Sequence, residues 1–207
     1  MTPFEFIQYV VLEQLDLYAI DGVSRAVGAF SRIADEAEDF QTRVFQSYTQ
    51  QPGEGDPSDF VEEARDQAVA YYRNLENLQQ SIINLLAVGL YHLFEQHRDH
   101  LKAILKAQKR KLPALKGLPG WPKVQELEYL ANTVKHADGP SEHKLRKVRP
   151  DLFLNPILRR MSLSRKRVPK PTTNPLGGTD LFVSVQDLSD YRDALRELWE
   201  EIRPLVS

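Results

Sequence analysis

Residues 131–139 read ANTVKHADG. Asn132, Lys135 and His136 are side chains with chemical uses. An imidazole gives and takes protons near neutral pH. An amide can position a reacting group, and a lysine can hold an anion as a point charge. If the stretch is helical, Asn132 and His136 are four residues apart and lie about 40° apart on one face. Lys135 adjoins them, and the basic run HKLRKVR at 143–149 follows at once. Val134 points elsewhere, about 200° from His136.

The same letters have a plainer use. Lys and His in a last helical turn favour the negative end of the helix dipole by about 0.3–1 kcal/mol. Gly139 can close the helix in a left-handed conformation. Asn132 can simply bond a neighbouring carbonyl. The residues alone leave both uses open.

The segment NTVKHADGPSEHKLRKVRPDLF resembles members of the HEPN superfamily through an N-x-x-K-H … R-P-D-L-F phrasing. The matching positions are Asn132, Lys135, His136, Arg149, Pro150, Asp151, Leu152 and Phe153. The resemblance covers roughly residues 1–155. It implies a compact helical bundle, a homodimer, and work in RNA cleavage, toxin–antitoxin pairs or phage defence. In active members it implies a metal-free site in which His moves protons while Arg holds the phosphate. Here His136 and Asn132 match the catalytic histidine and its polar companion. Ala131 stands where the signature has Arg. Without a planar bidentate donor the phosphate loses its best ligand. Lys135, Arg146 and Arg149 are the candidate replacements. The expected function is therefore RNA or partner binding without cutting. The alternatives are a metal-independent endoribonuclease using His136, or a purely structural interaction module.

A second polar group supports the first. His92, Glu95, Gln96 and Asp99 share a helical face, from which Glu95 and His92 could orient His136. The alternative is an ordinary polar helix face. No ligand cluster has zinc-like spacing, since His97 and His100 lie on another face than His92. No metal and no cofactor are expected. KAQKRK (106–111) and RRMSLSRKR (159–167) are candidate phosphate-backbone contacts, or solvated charge runs. Glycine-rich phosphate loops, nucleophile elbows and HExxH motifs are all missing.

The elements that must position these residues are helices. Phe4 to about Tyr48 carries apolar residues at helical steps, with weak points at Gly22 and Gly28. QPGEGDPSD (51–59) is a loop, and Asp59 with Glu62 reads as a helix start. A second long helix carries Ala70, Leu75, Leu78, Ile82, Leu85 or Leu86, Leu90, Leu93, Leu101, Ile104 and Leu105, making an antiparallel hairpin with the first. A third starts at Trp121-Pro122 and buries Val124, Leu127, Leu130, Ala131 and Val134. A short turn follows at 142–148. RRMSLSRKRVPKPTTNPLGG (159–178) reads as a mobile loop, and DLFVSV (180–185) as a short extended piece. Asp187 or Ser189 caps a last amphipathic helix. The expected fold is all-α: a bundle over 1–157, a basic Pro/Gly-rich loop over 158–186, and a C-terminal helix over 187–207 packed on the bundle.

Charge sets the partners. The net charge of −2 conceals an uneven chain. Residues 1–101 carry 6 Lys/Arg against 17 Asp/Glu, residues 102–170 carry 18 against 5, and residues 171–207 carry 3 against 7. A basic middle suits a polyanion, or an acidic surface of the same fold or of another subunit. The absence of cysteine excludes disulfides and thiolate metal sites and fits a cytoplasmic protein. Glu5, Glu13 and Asp16 interrupt any N-terminal span, so neither a signal peptide nor a membrane helix is expected.

Overall fold

The computed structural model describes residues 3–50, 57–136, 139–155 and 181–206. The fold is all-α, with no strand among the described residues. The helices are α1 (Pro3–Asp16), α2 (Val23–Gly28), α3 (Ile33–Gln50), α4 (Pro57–Ala107), α5 (Trp121–His136), α6 (Pro140–Val148) and α7 (Val185–Val206). A π-helical turn, Leu17–Gly22, joins α1 to α2, and 3-10 turns stand at Leu115–Gly117 and Pro150–Phe153. No described helix is long and apolar enough to cross a membrane.

The chain divides into two compact units, residues 1–24 with 83–207, and residues 25–82. The first holds the main core. α7 supplies Leu188, Tyr191, Leu195, Leu198, Trp199 and Ile202, all buried. Phe94 of α4 meets Trp199 edge-on at 6.3 Å between ring centroids. Leu127 and Leu130 of α5, Leu15 of α1 and Leu145 of α6 are fully buried as well. Each such aliphatic side chain contributes about 1.5–3 kcal/mol, so the helical periodicity read from the sequence is a packing instruction. α7 lies against both α5 and α1.

The second unit is a hairpin of α3 and the first half of α4. Phe40 stacks on Tyr71 at 4.6 Å and Tyr48 on Phe60 at 5.3 Å. The reversed order of these pairs makes the two helices antiparallel. Its buried side chains are small: Ala37, Ala64 and Ala68, with Ile33 at the end of the seam.

Some local expectations hold and others are corrected. The first helical segment is interrupted where glycines weaken it, by the π turn ending at Gly22 and by the end of α2 at Gly28. Leu78 belongs to the expected apolar stripe yet is 50% exposed, and of the alternatives Leu85 and Leu86 it is Leu86 that is half-buried while Leu85 is 60% exposed. The buried positions of α4 run instead through Ile83, Ala87, Leu90, Phe94, Leu101 and Leu105. Val134 is only half-buried, and Thr133 takes its place inside, its hydroxyl donating to the Tyr129 carbonyl at 2.7 Å. Gly139 has φ 180°, extended rather than left-handed. Residues 181–184, expected as a short extended piece, are neither helical nor paired as a strand; Leu181 and Val183 are buried, and the Phe182 N–H donates to the Leu152 carbonyl at 2.8 Å. The basic run 159–167 lies outside the described residues.

Candidate functional site

α5 ends at His136, and α6 begins four residues later and packs back on α5. Lys135 and His136 are exposed in the last turn of α5, and Asn132 is half-buried one turn earlier. Ala131, which the resemblance would set at the place of the signature Arg, is completely buried. In this register the helix turns that position into the core, where an unpaired guanidinium would be costly.

α6 is amphipathic. Leu145 and Glu142 are buried, while His143, Lys144 and Lys147 occupy the opposite, exposed face. Lys144 Nζ lies 5.2 Å from the centre of the Tyr129 ring, tying the basic face of α6 to α5. Among the described residues, Lys135, His136, His143 and Lys147 have no carboxylate within ion-pair distance.

The two candidate arginines are placed differently. Arg146 pairs with Glu142 at 2.5 Å and lies over Phe153, 3.9 Å from the ring centre. Arg149 is committed further. Its Nε and Nη2 donate to the two oxygens of Asp151 at 2.9 and 2.8 Å, Nη2 also to Asp187 at 2.7 Å, and Nη1 to Glu126 at 2.7 Å. Four of the five guanidinium N–H groups thus point at carboxylates. These contacts, Asp151 foremost, raise the guanidinium pKa further despite its burial. A phosphate could take Arg149 only by displacing a carboxylate.

This ion-pair cluster is the feature that sequence reading missed. Glu126 accepts from the Tyr191 hydroxyl at 2.7 Å and pairs with Lys123 at 2.8 Å. Burial first, then the Glu126 charge, pushes the Tyr191 pKa up. Ser184, not Asp187 or Ser189, caps α7. The Asp187 N–H donates to Ser184 Oγ at 3.1 Å, and Asp187 accepts from the Ser184 N–H at 2.9 Å and hydroxyl at 2.6 Å. That reciprocal cap was visible as Ser184-x-x-Asp187. The cluster fastens α5, the 149–151 turn and α7 to one another; no group of three potential metal ligands occurs among the described residues.

The supporting face on α4 is not joined to His136. His92 and Gln96 hydrogen-bond to each other at 3.0 Å. Glu95 lies 4.0 Å from Arg98, and Asp99 pairs with Lys102 at 2.9 Å. No hydrogen bond or ion pair links His92 or Glu95 to Asn132 or His136 among the described residues. The Tyr91 hydroxyl, raised in pKa chiefly by burial, also feels Glu128 of α5 and Glu95. Glu128 is one turn short of Asn132.

Compared with known proteins, the chain matches no family model, no curated protein and no solved structure.

Proposed function

We propose that this protein is a HEPN-like RNA-binding protein that does not cut RNA, acting as a cytoplasmic homodimer, with the α5–α6 end as its phosphate-binding surface. The observation that carries the reading is the exposed cationic set Lys135, His136, His143, Lys144 and Lys147 around a helix–helix turn whose candidate arginines are already paired. Exposed lysines neutralise phosphates without selecting a sequence. Cutting would need more. A general acid or base must be held within hydrogen-bond reach of the atom it serves, and a fixed cation must face the developing charge. His136 is exposed without an orienting partner among the described residues, and the position of the signature Arg is buried alanine.

The test is fluorescence anisotropy with structured tRNA and a mixed-sequence single strand in chelator, with gel analysis of the same samples. Binding by the wild type, loss in Lys135→Glu/Lys147→Glu, and intact RNA throughout are the expected outcomes. RNA cleaved by the wild type and spared by His136→Ala would replace this reading with the endoribonuclease. No binding to either RNA would leave the interaction module.

A further inference from the structure

The α3–α4 hairpin is amphipathic on two surfaces, and its own seam uses only one of them. The seam is filled by Ala37, Phe40, Ala64, Ala68 and Tyr71. At 100° per residue, Val61, Val69 and Tyr72 of α4 fall to one side of that seam. Because the helices run antiparallel, Phe45 of α3 falls on the same side, level with residue 64 of α4 as set by the Phe40–Tyr71 and Tyr48–Phe60 stacks. These four are 38% (Phe45), 49% (Val61), 42% (Val69) and 36% (Tyr72) exposed. The other side of the hairpin is polar: Glu36, Arg43 and Ser47 on α3, Glu63, Gln67 and Asn74 on α4, with Gln67 donating to the Tyr48 hydroxyl at 3.0 Å.

A solvated hairpin has no need of two aromatic and two β-branched side chains gathered on one face. The charge around them states what would fit. The described hairpin residues, 33–50 and 57–82, hold nine Asp/Glu against three Arg. Glu38, Glu62 and Glu76 border the apolar group, with Arg65 among them. Glu76 stands close enough to Tyr72 to raise its pKa. We propose that the Phe45–Tyr72 face of the hairpin docks a cationic amphipathic helix of a partner protein, its apolar stripe on Phe45, Val61, Val69 and Tyr72 and its lysines or arginines on the bordering glutamates. A second copy of the same acidic hairpin would bring like charges together, which opposes that occupant.

The experiment uses the full chain and a labelled synthetic helix of about 18 residues, Lys and Leu at amphipathic spacing, beside a scramble of equal composition. The amphipathic peptide should bind, and the scramble more weakly. Phe45→Ser/Tyr72→Ser should weaken binding by about thirtyfold, since exposed aromatic anchors dominate such interfaces. Glu38→Lys/Glu62→Lys/Glu76→Lys should weaken it by at least about tenfold. Glu36→Lys/Asp39→Lys/Glu63→Lys changes charge equally on the polar side and should weaken it far less. Circular dichroism confirms that each variant keeps its helix content. Equal losses on both sides, or equal binding of the scramble, would mean bulk electrostatics and overturn the proposal. So would self-association of the wild type that Phe45→Ser/Tyr72→Ser abolishes, because a second copy would then cover the face.

Discussion

Arg149 shows how far a residue's role can move between its letter and its place. In the sequence it stands in a basic run next to His136 and offers itself to phosphate. In the fold it holds Glu126, Asp151 and Asp187 together. Removing it would leave three carboxylates facing one another. Arg149→Ala should therefore destabilise the protein by about 2–4 kcal/mol, read from the denaturant midpoint, with its side chain mostly but not wholly buried. The same cluster sets an acid limit. Burial opposes ionisation of Asp187, but hydrogen bonds from Ser184 and Arg149 outweigh it and hold the carboxyl below its ordinary 3.8. A depressed carboxyl pKa stabilises the fold above the unfolded value and loses that contribution as pH falls through the folded one. Wild-type stability should thus fall on acidification below about pH 4, and Asp187→Asn should be less stable at neutral pH with a shallower acid limb. Parallel acid limbs in the two proteins would show that Asp187 does not titrate with folding. None of this was legible beforehand, because Glu126, Asp151 and Asp187 come together only in three dimensions. The Ser184-x-x-Asp187 spacing was the one local clue.

The elements were more legible than their surfaces. Periodicity located α5 and α7, since each has one strong apolar stripe. It misplaced Leu78 because the buried positions of α4, Ala64 and Ala68 and then Ile83, Ala87 and Leu90, do not follow one helical stripe. The π turn was anticipated only as a weak point. Its Tyr18 hydroxyl donates to the Leu86 carbonyl at 2.9 Å, and the ring occupies the notch at Gly89, where a Cβ would lie 2.0 Å from the hydroxyl. Gly89→Ala should therefore destabilise the wild type. In a Tyr18→Ala background the same change should stabilise by about 1 kcal/mol, the ordinary gain of Ala over Gly in a helix. Melting the four proteins of this cycle reads the reversal of sign; the same sign in both backgrounds would contradict the contact. The end of α4 gives another prediction. Lys109 has φ 59°, and the Arg110 N–H donates back to the Leu105 carbonyl at 2.8 Å, the closing pattern that usually takes glycine. Lys109→Gly should stabilise by about 1 kcal/mol, a rise in Tm of roughly 2–4 °C. Arg110 should be kept, because its Nη1 donates to the Val206 carbonyl at 2.8 Å.

For the whole molecule, the uneven charge along the chain was plain in the sequence, but its spatial use was not. Part of the basic middle is internal wiring: Arg110 ends on α7, Arg149 on carboxylates, Arg146 on Glu142 and Phe153. What remains outward at the α5–α6 end is Lys135, Lys144 and Lys147 with two histidines. The proposed RNA surface is thus smaller than the letter count suggests, and its affinity should be mainly electrostatic. The acidic hairpin is a separate surface with its own test. The measurement that bears most directly on the proposed function is the slope of log affinity against log salt for structured RNA. The wild type should show a steep negative slope, near −0.9 for each phosphate neutralised. Lys147→Gln should make it shallower by about 1, with the RNA intact at every salt concentration. A slope unchanged by Lys147→Gln, or RNA cut during the titration, would contradict the account.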